Sequence, residues 1–91
     1  MISPKDAVLK ALQYYQSFPL KVKIADLLVE EVEYAEKEGC FYITLGYNVA
    51  SFEGRNPLSA ALGGTEFKRE YKLFKVEAAT GNVLFMKIKK I

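Results

Sequence analysis

The chain has 91 residues, of which 51% are hydrophobic and 26% charged, and its formal net charge is +2. This composition is typical of one small globular domain, and no apolar run approaches the roughly 20 residues of a membrane-spanning helix. With one cysteine and no histidine, the chain cannot form an intrachain disulfide and lacks the commonest general base and metal ligand.

An amphipathic helix is predicted to begin at Ser3-Pro4-Lys5-Asp6. Ser3 suits the N-cap, Pro4 the first helical position, and Asp6 the positive end of the helix dipole. Apolar residues then recur at spacings of three and four, namely Ala7, Val8, Ala11, Leu12 and Tyr15. The pattern predicts about four helical turns, and Pro19 ends the helix.

The segment 27–38 fits either a helix or a strand. Its Leu, Glu, Ala and Lys content favours a helix that Gly39 could cap, whereas alternation along Leu28, Glu30, Val32 and Tyr34 favours a strand. The strand reading makes 36–39 a hairpin turn into the next element.

Residues 40–49 show the clearest strand alternation. Phe41, Ile43, Leu45, Tyr47 and Val49 share one face, and Tyr42, Thr44, Gly46 and Asn48 share the other. Cys40 begins this strand and is expected to be a buried, unreactive thiol.

A long connection rich in Gly, Ser, Asn and Pro follows at residues 50–65. Connections of this length between strands are often functional, so it is a candidate lid over a ligand site. Its candidate side chains are Phe52, Arg55, Leu58 and Leu62.

The C-terminal part predicts a hairpin. A strand at 66–78 is expected to contain a bulge, because Tyr71 and Leu73 have the opposite parity to Phe74 and Val76. The turn is Ala79-Thr80-Gly81-Asn82, where Gly81 can adopt a positive φ, and residues 83–90 form the last strand. Residues 1–91 are therefore predicted to be a single α+β domain, one helix on a four-stranded antiparallel meander sheet.

The stretch from Tyr71 to Leu84 resembles a PepSY-type module of the wider cystatin-like shape. An alternating apolar strand meets an acidic residue, Glu77, followed by a Thr80-Gly81 turn and Val83. The order of elements along most of the chain fits the same family and favours the strand reading of 27–38. The resemblance implies a binding or inhibitory element and not a catalyst. The residues themselves predict neither a cofactor nor a metal site.

Charge is distributed unevenly along the chain. Residues 21–40 contain six acidic and three basic residues, whereas residues 67–91 contain seven basic and two acidic residues. Solvated strand faces explain this pattern most simply, and a nucleic-acid surface is disfavoured. The N-terminus has no signal-peptide pattern, so a cytoplasmic protein is expected.

One helix can cover only one face of the sheet, which leaves apolar residues on the outer face. The interface candidates are Tyr42, Tyr71, Leu73, Leu84, Met86 and Ile88. The sequence thus predicts a non-enzymatic binding or regulatory module that forms a homodimer, or binds another protein, through this face. The alternative is a small-ligand-binding protein with the 50–65 connection as its lid.

Overall fold

The computed structural model describes residues 1–18, 24–51 and 66–90, although the side chains at positions 24, 25, 50, 51, 66 and 67 are left undescribed. Helix α1 spans Pro4–Gln16, and the strands are β1 Ile24–Ala35, β2 Cys40–Ser51, β3 Glu66–Glu77 and β4 Val83–Ile88. The sheet has the order β1-β2-β3-β4 with every neighbouring pair antiparallel, which confirms the predicted α+β meander. Segment 27–38 is mainly strand, followed by a turn.

The capping pattern read from the sequence forms as predicted at the start of α1. The Ser3 hydroxyl accepts a hydrogen bond from the backbone N–H of Asp6 at 3.1 Å, and the Asp6 carboxylate accepts one from the Ser3 N–H at 3.3 Å. Ala7, Ala11 and Tyr15 are buried on the face that meets the sheet. The predicted stop at Pro19 lies outside the described residues.

The core lies between α1 and one face of the two central strands, here called the helix side of the sheet. Four side chains of β2 and two of β3 are buried there, namely Phe41, Ile43, Leu45, Tyr47, Phe74 and Val76. The alternation read from residues 40–49 is therefore confirmed. The opposite surface is the outer face.

Strand register decides which side chains share a face. Strands β2 and β3 pair without a shift from Cys40–Glu77 to Ser51–Glu66, so the bulge predicted in β3 is wrong. The irregularity lies in β4, where Lys75 pairs with Phe85 but Val76 pairs with Val83, which leaves Leu84 as an extra residue. Strand β1 carries two further shifts, around residues 26–27 and around Glu30.

Positive φ angles occur where the chain reverses or bulges. Gly39 and Gly81 have φ of 64° and 80° in the two hairpin turns, and Asp26 has φ of 53° at the first irregularity of β1. The prediction for Gly81 is thus confirmed.

Helix α1 has 13 residues, and no helix in the described ranges is long and apolar enough to cross a membrane.

Candidate functional site

The outer face of the sheet is the surface on which the sequence placed an interface. The register puts polar, aromatic and charged side chains on it. From β2 to β4 they are Tyr42, Thr44, Gly46, Asn48, Arg69, Tyr71, Leu73, Lys75, Phe85 and Lys87. Strand β1 adds Glu31 and Glu33, which pair with Thr44 and Tyr42, and the exposed Leu28, which pairs with Gly46.

Three acid–base pairs cross this face from one side of the sheet to the other. They are Glu30–Arg69, Glu38–Lys75 at 3.4 Å and Glu31–Lys89 at 3.8 Å. Each acid comes from β1 or the turn after it, and each base comes from β3 or the residues after β4. The uneven charge of the two halves of the sequence is therefore partly neutralised within the fold.

The Arg69 guanidinium is the most highly connected group on the outer face. It donates hydrogen bonds to Glu30, to the backbone carbonyl of Asp26 at 2.9 Å and to the Asn48 side-chain oxygen at 3.3 Å. The Asn48 amide also donates to the Asp26 carboxylate at 2.9 Å. Because the hydrogen bond to Glu30 favours the charged form, the pKa of Arg69 is raised. This network ties β1, β2 and β3 together.

Gly46 provides the space for the Glu30–Arg69 pair. A Cβ atom at position 46 would lie 2.7 Å from the Glu30 carboxylate oxygen and 2.9 Å from the Arg69 guanidinium nitrogen. Any side chain on β2 at this point would therefore displace the pair.

A second cluster lies at the other end of the outer face. The Tyr42 hydroxyl donates to the Glu38 carboxylate at 2.8 Å, and the Lys75 ammonium lies 5.6 Å from the Tyr42 ring centroid and 6.0 Å from that of Phe85. The hydrogen bond from Tyr42, followed by the interactions with Lys75, lowers the pKa of Glu38 despite some opposing desolvation. The same hydrogen bond raises the pKa of Tyr42.

Thr44 shows how completely the centre of the outer face is closed. It is only 2% exposed although it points away from α1, and its hydroxyl accepts a hydrogen bond from the Lys89 ammonium at 3.3 Å. Long lysine and arginine stems cover the apolar side chains beneath them, as amphipathic side chains commonly do. The middle of this face is therefore closed by the chain's own side chains.

The six predicted interface residues do not form one surface. Tyr42, Tyr71 and Leu73 do lie together on the outer face, where each is half-buried. Met86 pairs with Phe74 and packs against the core, and Ile88 pairs with Lys72, so both belong to the helix side. Their predicted place on the outer face is wrong because Leu84 is the extra residue of β4.

The four loop candidates, Phe52, Arg55, Leu58 and Leu62, lie outside the described residues. The lid hypothesis that rests on them therefore stays a prediction.

Exposed apolar side chains occur at the margins of the sheet. On the helix side of β1, Val29, Val32 and Tyr34 pair with buried residues of β2 yet remain 42–43% exposed. At the opposite margin Ile88 is 71% exposed. In the sequence, Val32 and Tyr34 alternate with Glu31 and Glu33, which already indicates an apolar face on this strand. The sequence did not show that β1 is an edge strand, and so the exposure of that face was not predicted.

Helix α1 contacts all four strands but covers the margins of the sheet only in part. Tyr14 packs on Phe74, with ring centroids 6.4 Å apart, and the Lys10 side chain lies against Gly81, so this flank of the helix leans toward β3 and the following turn. The buried face of α1, formed by Ala7, Ala11 and Tyr15, packs on the core of the sheet, and Leu27 of β1 packs against the same core. A single helix is about 10–12 Å wide, whereas four strands span roughly 15 Å between their outer axes, so the margins of the sheet are left partly open.

An open cleft of about 430 Å³ lies beside the ends of β3 and β4. Its lining contains four basic residues and one acidic residue, and consists of Lys68, Arg69, Glu70, Tyr71, Ile88, Lys89 and Lys90. Two of these cations are already paired, Arg69 with Glu30 and Lys89 with Glu31.

Metal binding and thiol chemistry have little support among the described residues. In the described ranges no three acidic or cysteine side chains are placed to hold a metal ion. Cys40 is buried, with its thiol 3.4 Å from the Glu38 carbonyl.

No family model, no curated protein and no solved structure matches this chain. The resemblance to PepSY-type modules therefore stays a prediction.

Proposed function

We propose that the protein is a small non-enzymatic binding module that self-associates. The observation that carries this proposal is the exposed apolar row formed by Val29, Val32 and Tyr34 beside an otherwise closed core. Neighbouring apolar side chains on an edge strand favour a contact that removes them from water, at roughly 25 cal/mol per Å² of buried apolar surface. A PepSY-like identity, with the binding role it implies, is consistent with this proposal.

The contact surface differs from the one expected from the sequence. A homodimer through Tyr42, Tyr71 and Leu73 would have to displace three acid–base pairs and the cation–aromatic contacts above them. Desolvating paired charges costs free energy that only well-made new contacts offset. We therefore propose the margin of β1, and not the outer face, as the binding surface.

Sedimentation velocity over a wide range of protein concentration tests the proposal. The weight-average sedimentation coefficient is expected to rise with concentration, and Val32→Asp is expected to reduce that rise. Leu9→Asp is the matched control, because Leu9 is also exposed, at 54%, but lies on α1. A monomer at every concentration, or equal effects of the two variants, would refute this surface.

The cleft beside β3 and β4 is the observation that favours the small-ligand alternative. Its volume lies within the range of about 300–1,000 Å³ typical of ligand sites, and its basic lining would suit an anionic ligand. Isothermal titration with small phosphorylated compounds checks this alternative, with Lys68→Gln expected to abolish any heat. A titration without measurable heat would remove it.

A further inference from the structure

The two edge strands of the sheet carry complementary side-chain patterns. In the part of the chain that the structure describes, β1 and β4 are the outermost strands, each with one edge free of a neighbouring strand. Strand β1 places Glu31 and Glu33 on the outer face and Val32 and Tyr34 on the helix side. The end of β4 places Lys87 on the outer face and Met86 and Ile88 on the helix side.

We infer that β4 of one copy pairs antiparallel with the edge of β1 of a second copy, so that the sheet continues from one molecule to the next. The inference rests on the proposed self-association and names its surface. The strand that pairs with the edge of β1 is thus β4 of another copy, in which basic and apolar residues alternate.

One register satisfies both faces of the joined sheet. With Lys87 opposite Glu33, the next outer-face pair is Lys89 with Glu31, which exchange their ion pair within one molecule, at 3.8 Å, for the same pair between molecules. On the helix side the same register sets Ile88 opposite Val32 and Met86 opposite Tyr34. Opposite charges and apolar pairs that face each other directly each contribute about 0.2–1 kcal/mol in antiparallel sheets.

The regular part of β1 is the part this register uses. Residues Glu31–Ala35 pair with β2 without a shift, whereas both irregularities of β1 lie earlier, before Glu31. Bulges and charges are the usual devices that protect an edge strand from pairing. In β1 the bulges lie only in the first half of the strand, so they do not prevent pairing along its second half.

The geometry of the meander permits the contact. Strands β1 and β4 run in opposite directions within one molecule, because three antiparallel pairings separate them. A copy displaced sideways by four strands therefore brings its β4 antiparallel to β1 with both helices on the same side. That displacement is about 19 Å, which leaves room for helices about 10–12 Å wide.

Symmetric edge contacts are disfavoured by the same charges. Pairing β1 with β1 would bring Glu31 and Glu33 against glutamates, and pairing β4 with β4 would bring Lys87 against lysines. Like charges directly opposite one another destabilise a sheet. The charge pattern therefore selects a head-to-tail contact, which yields rings or open chains of molecules and not a closed two-fold dimer.

Complementary charge reversal tests the pairing on the full chain by sedimentation velocity. Glu33 and Lys87 are both exposed, and neither forms an ion pair within residues 1–18, 24–51 and 66–90. Glu33→Lys alone and Lys87→Glu alone are each expected to weaken self-association by roughly tenfold. An equimolar mixture of the two variants is expected to restore it, because each β4 then meets a β1 of opposite charge. Glu36→Lys, in the exposed turn after β1, is the matched control and is expected to associate like the wild type.

The outcomes separate this inference from the proposed function. If the wild type associates but neither reversal changes its association, the edge contact is wrong and the binding module acts through another surface. If Glu33→Lys associates more strongly on its own, a symmetric β1 contact replaces the head-to-tail one. A wild type that stays monomeric up to millimolar concentration overturns both. Circular dichroism of each variant confirms that the fold is retained.

Discussion

Arg69 on β3 and Glu30 on β1 form an ion pair that passes over Gly46 of the strand between them. The pair exists because three conditions coincide. The irregularity of β1 turns Glu30 to the outer face, Gly46 has no side chain to block the path, and the Asp26 carbonyl and Asn48 hold the guanidinium in place. A missing side chain in β2 is thus what allows β1 and β3, the two neighbours of β2, to interact directly.

Because Gly46 leaves space for the Glu30–Arg69 pair, substitutions at these positions are expected to have non-additive effects on the free energy of unfolding. Gly46→Ala in the wild type displaces the Glu30 carboxylate, which offsets the roughly 0.5–1 kcal/mol gained when alanine replaces glycine in a strand. In a background that carries both Glu30→Ala and Arg69→Ala, the two side chains that a Cβ at position 46 would meet are gone. The same substitution is then expected to stabilise the protein by about 0.5–1 kcal/mol. Urea unfolding of the four proteins of this cycle measures the difference. An identical effect of Gly46→Ala in both backgrounds would contradict the crossing geometry.

The corrected register of β4 predicts opposite behaviour for two neighbouring apolar residues. Met86→Lys puts a charge against the core beside Phe74 and is expected to cost roughly 1–3 kcal/mol of unfolding free energy. Ile88→Lys is expected to change it by less than about 0.5 kcal/mol, because Ile88 is 71% exposed. Thermal unfolding of dilute protein compares them. Equal losses would mean that the register is misplaced.

The burial of Tyr47 predicts that the free energy of unfolding decreases at alkaline pH. It is only 3% exposed, and burial, followed by the neighbouring Tyr15 side chain, raises its pKa. A phenol whose pKa is raised by folding contributes stability that is complete below the pKa of the unfolded state, about 10, and is lost as the pH rises above it. Tyr47→Phe is expected to flatten this alkaline decline in urea unfolding experiments. If the variant declines as steeply as the wild type, another group causes the loss.

The lowered pKa of Glu38 predicts that the free energy of unfolding decreases at acidic pH. Because the Tyr42 hydrogen bond lowers its pKa, its contribution is present above the unfolded-state pKa of a glutamate, about 4.3, and disappears as the pH falls below that value. Tyr42→Phe is expected to raise the pKa of Glu38 toward its ordinary value in an NMR titration of the carboxyl carbon. Lys37→Gln, at the neighbouring exposed turn position, serves as the control. No change in the Tyr42 variant would remove the hydrogen bond as the cause.

Periodicity and turn chemistry were sufficient to predict most of the fold. Ser3 and Asp6 identified the helix start, the alternation from Phe41 to Tyr47 identified the buried face, and Gly81 identified the last turn. These features depend on residues close together in the sequence. Their local preferences agree with the final structure, which makes them readable without coordinates.

The faces of β4 could not be predicted in the same way. Residues Val83–Met86 are apolar at every position, so alternation does not show which side faces the core, and the extra residue Leu84 reverses the parity. The acid–base pairs across the outer face were likewise hidden. They join Glu30 to Arg69 and Glu31 to Lys89, residues whose proximity depends on the strand order.

Amide hydrogen exchange at several protein concentrations tests the proposed edge contact most directly. Joining β4 to β1 adds backbone hydrogen bonds, so the edge-facing amides within 31–35 and 86–88 are expected to exchange more slowly as concentration rises. The Lys89 amide already donates to the Tyr71 carbonyl at 2.9 Å and is not expected to change. Amides of β2 and β3 are already paired within the sheet and serve as the internal reference. An association that slows none of the edge amides would contradict the account, because a contact through side chains alone adds no hydrogen bonds to the free edges of β1 and β4.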